Sequence, residues 1–126
     1  MIKVIKTANA PAPIGPYNQA ILADGTLYVS GQIALDPATG ELKIGDIASE
    51  THLVLKNLTA ILTEAGMTLD NVVKCSIFIS DMDNFGAINE VYGTYFTNNF
   101  PARETVQVAR LPKDVNVEIS AIAVDS

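Results

Sequence analysis

One arginine and one glutamate near the end of the chain are the residues best suited to chemistry. Arg103 is one of only two arginines and comes just after Pro101, where a helix should give way to a strand. Glu118 stands inside an apolar strand pattern, where a carboxylate is disfavoured unless it is exposed or functional. A guanidinium can grip a small carboxylate, and a glutamate can hold water or transfer a proton. The plainer alternatives are a surface pair of Arg103 with Glu104 and an outward-facing Glu118.

The sequence predicts that both residues belong to one β-hairpin. Alternating segments at 104–110 and 115–124 flank a turn at 111–114, which contains Pro112 and Asp114. If Arg110 pairs with Val115, the predicted register places the pairs Val108–Val117 and Val106–Ile119 on a core face, and Gln107–Glu118 and Thr105–Ser120 on a polar face. Arg103 would join the polar face, with Gln107 as a hydrogen-bond partner for Glu118.

The remaining candidates have strong structural alternatives. Tyr17, after a Gly-Pro turn, either lines a pocket or packs against the sheet, and Arg110 is expected at the surface. Ser30 has no triad partner, because the only histidine, His52, is expected to face solvent from a helix. Cys75 is expected to be a buried small hydrophobe. With one cysteine and one histidine, the sequence predicts no disulfide within the chain and no metal site.

Two helices and six strands are expected to position these residues. Strands are predicted at 2–6, 18–23, 27–35 and 71–80 and in the two segments of the hairpin, with helices at 46–65 and 82–98. Asp46 is the expected N-cap of the first helix, and Gly66 is expected to end it in the left-handed conformation. Asp24-Gly25 predicts a two-residue hairpin turn, and Gly31 predicts a bulge or a close approach of a ligand to the backbone. The fold class is therefore α+β, with a six-stranded, mainly antiparallel sheet carrying two helices on one face. Ser30 and Gln32 are expected to share the other face.

Composition limits the classes of function. At 126 residues and 13.4 kDa, residues 1–126 should form a single domain. A net charge of −6 with eight scattered basic residues disfavours nucleic-acid binding, which depends on clustered lysine and arginine. We expect no membrane span, because no apolar run reaches eighteen residues. The Met-Ile-Lys-Val-Ile-Lys start lacks the features of a secretory leader, so a cytoplasmic compartment is expected.

Four blocks together resemble the Rid family, also called the YjgF family, of reactive-intermediate deaminases. They are Ala12-Pro13-Ile14-Gly15-Pro16-Tyr17-Asn18-Gln19-Ala20; Ser30-Gly31-Gln32-Ile33 with Asp36-Pro37 and Thr39-Gly40-Glu41; Phe85-Gly86-Ala87-Ile88-Asn89-Glu90-Val91-Tyr92; and Phe100-Pro101-Ala102-Arg103 with Val108-Ala109-Arg110-Leu111-Pro112-Lys113-Asp114 and Val117-Glu118-Ile119. Any one block is weak evidence, but four in this order span essentially the whole chain.

The resemblance implies a chorismate-mutase-like fold assembled as a homotrimer, with pockets between subunits. It also implies hydrolysis of 2-enamine and 2-imine acids, such as 2-aminoacrylate and 2-iminopropionate, to a 2-keto acid and ammonia. Pyridoxal-phosphate enzymes release these compounds, whereas a Rid-like protein is expected to need neither cofactor nor metal.

The resemblance also assigns roles to residues. Arg103 would grip the substrate carboxylate and Glu118 would position the attacking water. Tyr17, Ser30 and Gly31 would line the pocket. The backbone at Thr105 would contact the substrate on the side of its nitrogen, and Asn89 would give structural support to the site. Two positions depart from the family pattern, since Thr105 stands where many members have cysteine and Ser120 where glutamate is commoner. Thiol chemistry is therefore not implied here.

Two other functions remain open from the sequence. Some relatives are described as endoribonucleases, although the acidic balance of this chain disfavours that activity. A ligand-responsive binding module would have a similar cleft without turnover. The resemblance favours the deaminase.

Overall fold

Two helices and six strands form the fold of residues 1–125, which a computed structural model describes. The strands are β1 (Ile2–Ile5), β2 (Ala20–Ala23), β3 (Thr26–Gln32), β4 (Val72–Ile79), β5 (Ala102–Gln107) and β6 (Val117–Val124). The helices are α1 (Ile47–Glu64) and α2 (Phe85–Tyr95). The number and type of these elements agree with the sequence-based prediction.

The strands form one sheet in the order β1-β2-β3-β6-β4-β5. Every neighbouring pair is antiparallel except β4 and β5, which are parallel. Both helices share a core with alternate residues of the central strands, among them Cys75, Ile77, Ile79, Val117 and Ile119. The predicted α+β class, the mainly antiparallel sheet and the placement of both helices on one face are confirmed.

Local signals in the first half of the chain agree with the prediction. Asp24 and Gly25 have φ values of 50° and 84°, as the tight turn between β2 and β3 requires. The Asp46 carboxylate accepts a hydrogen bond from the Ser49 amide and caps α1. At the other end Gly66, with φ of 74°, ends the helix in the left-handed conformation. In the described part of the chain, no helix is long and apolar enough to cross a membrane.

The predicted hairpin of β5 and β6 is wrong, because β4 lies between these two strands. The apolar β4 takes the central position and pairs with both of them. A helix connecting two strands favours parallel pairing, and α2 therefore returns the chain to the far edge of β4. The segment from 108 to 116 passes the end of β4, where Val108 donates to the Ile79 carbonyl and Ser80 donates to the Asn116 carbonyl.

Other details also differ from the prediction, since β2 begins at Ala20 instead of residue 18 and β3 ends at Gln32 instead of residue 35. The helix predicted over 82–98 begins with a 3-10 turn at Met82–Asn84, capped by Asp81, and α2 ends at Tyr95. A bulge in β3 shifts the register between Val29 and Gln32. Gln32 is consequently opposite Ile119 and buried, and it does not share the outer face with Ser30.

A buried carboxylate connects α1 to the start of β6. Glu50 is fully buried, and its Oε2 accepts hydrogen bonds from the backbone amides of Asn116 and Val117 at 2.8 and 3.3 Å. Its Oε1 accepts a third bond from Asn116 Nδ2 at 2.8 Å. Glu50 thus satisfies a buried N–H donor of Val117 and two partly buried donors of Asn116, which would be costly to leave without an acceptor. The contact also positions the residues just before Glu118.

We expect Glu50→Ala to lower the free energy of unfolding by about 2–4 kcal/mol, because it leaves buried donors without an acceptor. Glu50→Gln should cost less, since its amide oxygen can still accept from the two backbone amides. Urea unfolding measures both values. Glu64→Ala, at the exposed end of α1, is the matched control and should stay within about 0.5 kcal/mol of the wild type. A loss equal to that of the control would contradict the role assigned to Glu50.

Candidate functional site

Arg103 and Glu118 lie on opposite faces of the sheet. Arg103 pairs with Cys75, which faces the helices, whereas Glu118 pairs with Phe78, three residues further along β4. Side chains alternate along a strand, so positions three apart point to opposite sides. The predicted polar layer that would contain both residues is therefore wrong, because it depended on the hairpin that β4 interrupts.

Glu118 occupies a pocket on the open face of the sheet. The pocket has a volume of about 430 Å³ and is lined by Ile14, Tyr17, Ser30, Gly31, Pro112 and Glu118. The structure thus brings together four residues that the sequence predicted separately, Tyr17, Ser30, Gly31 and Glu118. Ser30 donates through Oγ to the Asn18 carbonyl at 2.7 Å, so its hydroxyl is occupied within the loop.

Gly31 makes room for the Glu118 side chain. A Cβ atom added at Gly31 would lie 2.3 Å from Glu118 Oε2 and 2.7 Å from its Cδ, well inside van der Waals contact. The absence of a side chain therefore lets the carboxyl lie directly against the bulge of β3. A glycine within a strand predicted a bulge or the close approach of a ligand at Gly31. The bulge is confirmed, and the group that lies against the backbone in the structure is the side chain of Glu118.

The Glu118 carboxyl lies in a poorly solvated position. It is partly buried, and this burial raises its pKa above the ordinary range. Within residues 1–125 none of the ion pairs includes it. The predicted partner Gln107 is elsewhere, because its side-chain oxygen accepts from the Met82 amide at 2.7 Å. A carboxyl of this kind holds a proton more readily than usual, which suits a group that both accepts and gives up a proton.

Gln19, which the sequence analysis did not select, organises the loop that carries Tyr17. It is buried, its oxygen accepts from the Thr7 amide at 2.7 Å, and its amide nitrogen donates to the carbonyls of Thr7, Ala10 and Pro11. Tyr17 in turn accepts through its hydroxyl from the Ile14 amide at 3.2 Å. A glutamine beside a strand carries no sequence signal for such a role, since the loop must fold before its carbonyls converge.

Arg103 occupies a second pocket, on the helix side of β5. Its Nη1 donates to Asn89 Oδ1 at 2.8 Å, and its guanidinium lies 4.8 Å from the ring centroid of Tyr92. The Phe85 ring is also near, at 5.7 Å. The pocket measures about 390 Å³ and is lined by Asn89, Tyr92, Gly93, Phe96, Phe100, Pro101 and Arg103. Arg103 is not paired with Glu104, which instead contacts Lys74 and Ser76.

Two buried hydroxyls accompany Arg103. Thr105 Oγ1 and the Tyr92 hydroxyl are both shielded from solvent, and neither has a hydrogen-bond partner among the described residues. Burial also raises the pKa of Tyr92 and that of the nearby Cys75 thiol, so both stay neutral. The prediction that Cys75 is a buried small hydrophobe is confirmed.

The two pockets divide the chemistry between them. The Arg103 pocket offers a cation that donates one N–H to Asn89 and makes no other hydrogen bond within residues 1–125, which suits a small carboxylate. The Glu118 pocket offers a carboxyl with a raised pKa.

His52 is exposed, as predicted, and its ring nitrogen is hydrogen-bonded to the Tyr95 hydroxyl. No group of three or more His, Cys, Asp or Glu side chains within residues 1–125 is placed to hold a metal ion.

Comparison with known proteins gives full-length matches. A family model described as Endoribonuclease L-PSP matches residues 7–125. The curated 2-iminobutanoate/2-iminopropanoate deaminase of Rattus norvegicus is 53% identical over 97% of this chain and 89% of its own length. The human protein of the same description is 49% identical with the same coverage of both chains.

Solved structures agree in fold over the whole length. A protein of the conserved Rid family, YyfA from Yersinia pestis, has a TM-score of 0.97 and 49% identity, covering 99% of this chain and 100% of that one. The Escherichia coli protein TdcF, solved with bound serine, has a TM-score of 0.94 and 44% identity, covering 98% of this chain and 99% of that one. The arrangement of two helices on a mixed six-stranded sheet is therefore the fold of these proteins.

We expect Gly31→Ala to keep the fold but to push the Glu118 carboxyl out of its pocket, because the added methyl occupies the same space. Once the carboxyl moves towards solvent, its pKa should fall towards the ordinary value. Carboxyl-carbon NMR titration of Glu118 measures this shift. Gly86→Ala, where an added Cβ meets nothing within 4 Å, is the control and should leave the titration unchanged. An unaltered pKa in Gly31→Ala would show that the two groups do not compete.

Glu118→Gln should stabilise the protein at neutral pH. Because burial raises the folded-state pKa, the folded protein binds a proton more tightly than the unfolded chain, and keeping this group ionised costs stability. The increase in the free energy of unfolding should be complete above the folded-state pKa of Glu118. It should vanish as the pH falls to the ordinary pKa of glutamate. Thermal unfolding from pH 4 to 8 tests the trend. Glu104→Gln should give no gain, since Ser76 and Lys74 lower the pKa of Glu104. Equal behaviour of the two variants would refute the account.

Proposed function

This chain belongs to the Endoribonuclease L-PSP family, which includes the Rid or YjgF proteins, and we infer that it is a hydrolytic deaminase of 2-imino and 2-enamino acids. Its substrates are of the 2-iminopropanoate and 2-aminoacrylate type, and its products are a 2-keto acid and ammonia. The observation that carries this conclusion is the 53% identity to the rat deaminase over nearly the whole chain. The two pockets are consistent with the chemistry that this reaction needs.

Arg103 anchors the substrate through its carboxylate. The guanidinium lies over the aromatic ring of Tyr92, and Asn89 takes one of its N–H groups, so its orientation is restrained before the substrate arrives. The remaining donors can form two parallel bonds to a carboxylate. Because the anchor is already oriented, little entropy is lost when the reacting carbon is positioned. The backbone at Thr105 lies in the same strand and is suited to contact the imine nitrogen.

Glu118 holds the attacking water and moves its proton. The protonated imine carbon is already electrophilic, so the water oxygen can add to it once the carboxylate accepts a water proton. Glu118 then returns this proton to the nitrogen. As the carbon–nitrogen bond breaks, the Glu118 carboxylate accepts the proton of the new hydroxyl group, so the keto carbonyl forms and ammonia leaves. That proton passes to the departing ammonia, which restores the carboxylate. A raised pKa suits this exchange, because the group must be a base in one step and an acid in the next. Tyr17, Ser30 and Gly31 form the surrounding wall.

The complete site forms between two copies of the chain in a homotrimer. Arg103 and Glu118 lie on opposite faces of the sheet, so one copy alone cannot place both beside one small substrate. The open face also exposes apolar side chains, with Tyr28 at 51% and Val106 at 39%, as expected of a surface that packs against another subunit. A neighbouring copy would bring its Glu118 pocket against the Arg103 pocket of the first.

We place the protein in the cytoplasm, where its single buried cysteine would stay reduced. The description of the family names an endoribonuclease, but a net charge of −6 gives this chain little attraction for a nucleic-acid phosphate backbone.

A coupled assay tests the deaminase activity directly. An amino-acid oxidase generates imines, and keto-acid formation is timed with and without the protein. If the wild type does not accelerate hydrolysis but only binds 2-keto acids, the protein is a binding module.

Mixing two inactive variants tests the shared site. Arg103→Met and Glu118→Gln should each abolish acceleration, because each lacks one essential group. If each pocket takes Arg103 from one copy and Glu118 from the next, equal random mixing restores both groups in about a quarter of the pockets. Activity should therefore return after the two variants are unfolded and refolded together.

A mixture of Arg103→Met with Asn89→Leu is the matched control. Both changes affect the same half of the site, so this mixture should show only the average of its two components. If the first mixture also fails to regain activity, the shared site is wrong. Light scattering on the wild type measures the number of copies, and a monomer with full activity would contradict the trimer.

A further inference from the structure

The connection between β5 and β6 contains two strained residues. Lys113 and Asp114 have φ values of 56° and 57°, so two successive residues with side chains lie in the left-handed region. One such residue is uncommon, and a consecutive pair without glycine persists only where surrounding contacts determine the backbone. The segment must therefore be held in place by specific interactions.

An arginine fork supplies one of these interactions. Arg110 donates through Nε to Asp114 Oδ1 at 2.6 Å and through Nη2 to Oδ2 at 3.1 Å. The Asp114 amide also donates to the Leu111 carbonyl at 3.0 Å. An exposed ion pair contributes little to overall stability, but a bidentate one restricts local geometry strongly. The fork therefore determines the shape of the turn more than the stability of the fold.

Buried apolar side chains on both sides of Pro112 in the chain also restrain this turn. Leu111 and Val115 are 8% and 1% exposed, and they pack with Ile33 and Leu35 in a small cluster separate from the main core. Pro112 lies between this apolar anchor and the exposed fork. Its position is consequently restrained on both sides, although Pro112 itself is exposed.

Pro112 is part of the Glu118 pocket. It lines the 430 Å³ pocket, and it also lines a cavity of about 40 Å³ beside Glu118 that extends towards Gln32. Proline has no rotatable side chain and a restricted φ, so it forms a rigid wall. Any movement of the strained turn would move this wall relative to Glu118.

We propose that Arg110 and Asp114 are a positioning pair that holds Pro112 as the wall limiting the size of the substrate side chain. The inference rests on the proposed deaminase function and adds the determinant of its substrate range. Small imines, with methyl or ethyl side chains, fit within the wall. Loss of the fork lets the strained turn relax, and the pocket then accepts larger side chains.

The test compares kcat/KM for the imines of alanine and leucine, which differ in side-chain size. In Arg110→Met and in Asp114→Asn the ratio of kcat/KM for leucine imine to that for alanine imine should rise about threefold or more. For comparison, a fixed pocket can discriminate one methylene group by roughly 10–200-fold. The double variant should show no further rise, because either single change already breaks the fork. Arg110→Lys, which keeps the charge but loses the planar fork, should lie between wild type and Arg110→Met.

Glu41→Gln is the control, because it removes an exposed ion pair with Lys43 at 3.7 Å. Its ratio of kcat/KM for leucine imine to kcat/KM for alanine imine should equal that of the wild type. Pro112→Ala removes the wall without touching the fork and should raise the ratio, so the inference remains testable if the fork variants unfold. An unchanged ratio in the folded fork variants, or an equal loss for both imines, overturns the inference. A wild type that accelerates neither imine overturns the proposed function instead.

Discussion

The alternation of side chains along β4 is the constraint on which the site depends. Because Cys75 faces the helices and Phe78 faces outward, the neighbours paired with them, Arg103 and Glu118, are held on opposite sides of the sheet. No rotamer change can bring two such groups together. The sheet thus separates the anion anchor from the proton-transfer group, and the proposed reaction joins them by association between copies.

Sequence reasoning was most successful where the signal is local. Asp24-Gly25, Asp46 and Gly66 are short-range turn and cap signals, and each predicted its backbone feature correctly. Gly31 indicated a bulge for the same reason. These features depend on one or two residues and their immediate neighbours, so the surrounding fold does not change them.

The pairing of β5 could not be read from its own residues. Its alternation fits a hairpin with β6 as well as a parallel edge next to β4, and only competition for the central position decides between them. Several of the residues that line the two pockets were nevertheless selected from the sequence, because residue type and family resemblance do not depend on strand order. Gln19, Tyr92 and the fork of Arg110 escaped notice because their roles arise from contacts between distant segments.

The close approach of Gly31 to Glu118 also makes these two positions interdependent in evolution. The space that a side chain at position 31 would need is already filled by the carboxyl of residue 118. A family member could gain a side chain at the first position only by shortening or redirecting the second. An alignment deep enough to show covariation should therefore couple positions 31 and 118, and a lineage that loses this glycine should also have altered the glutamate.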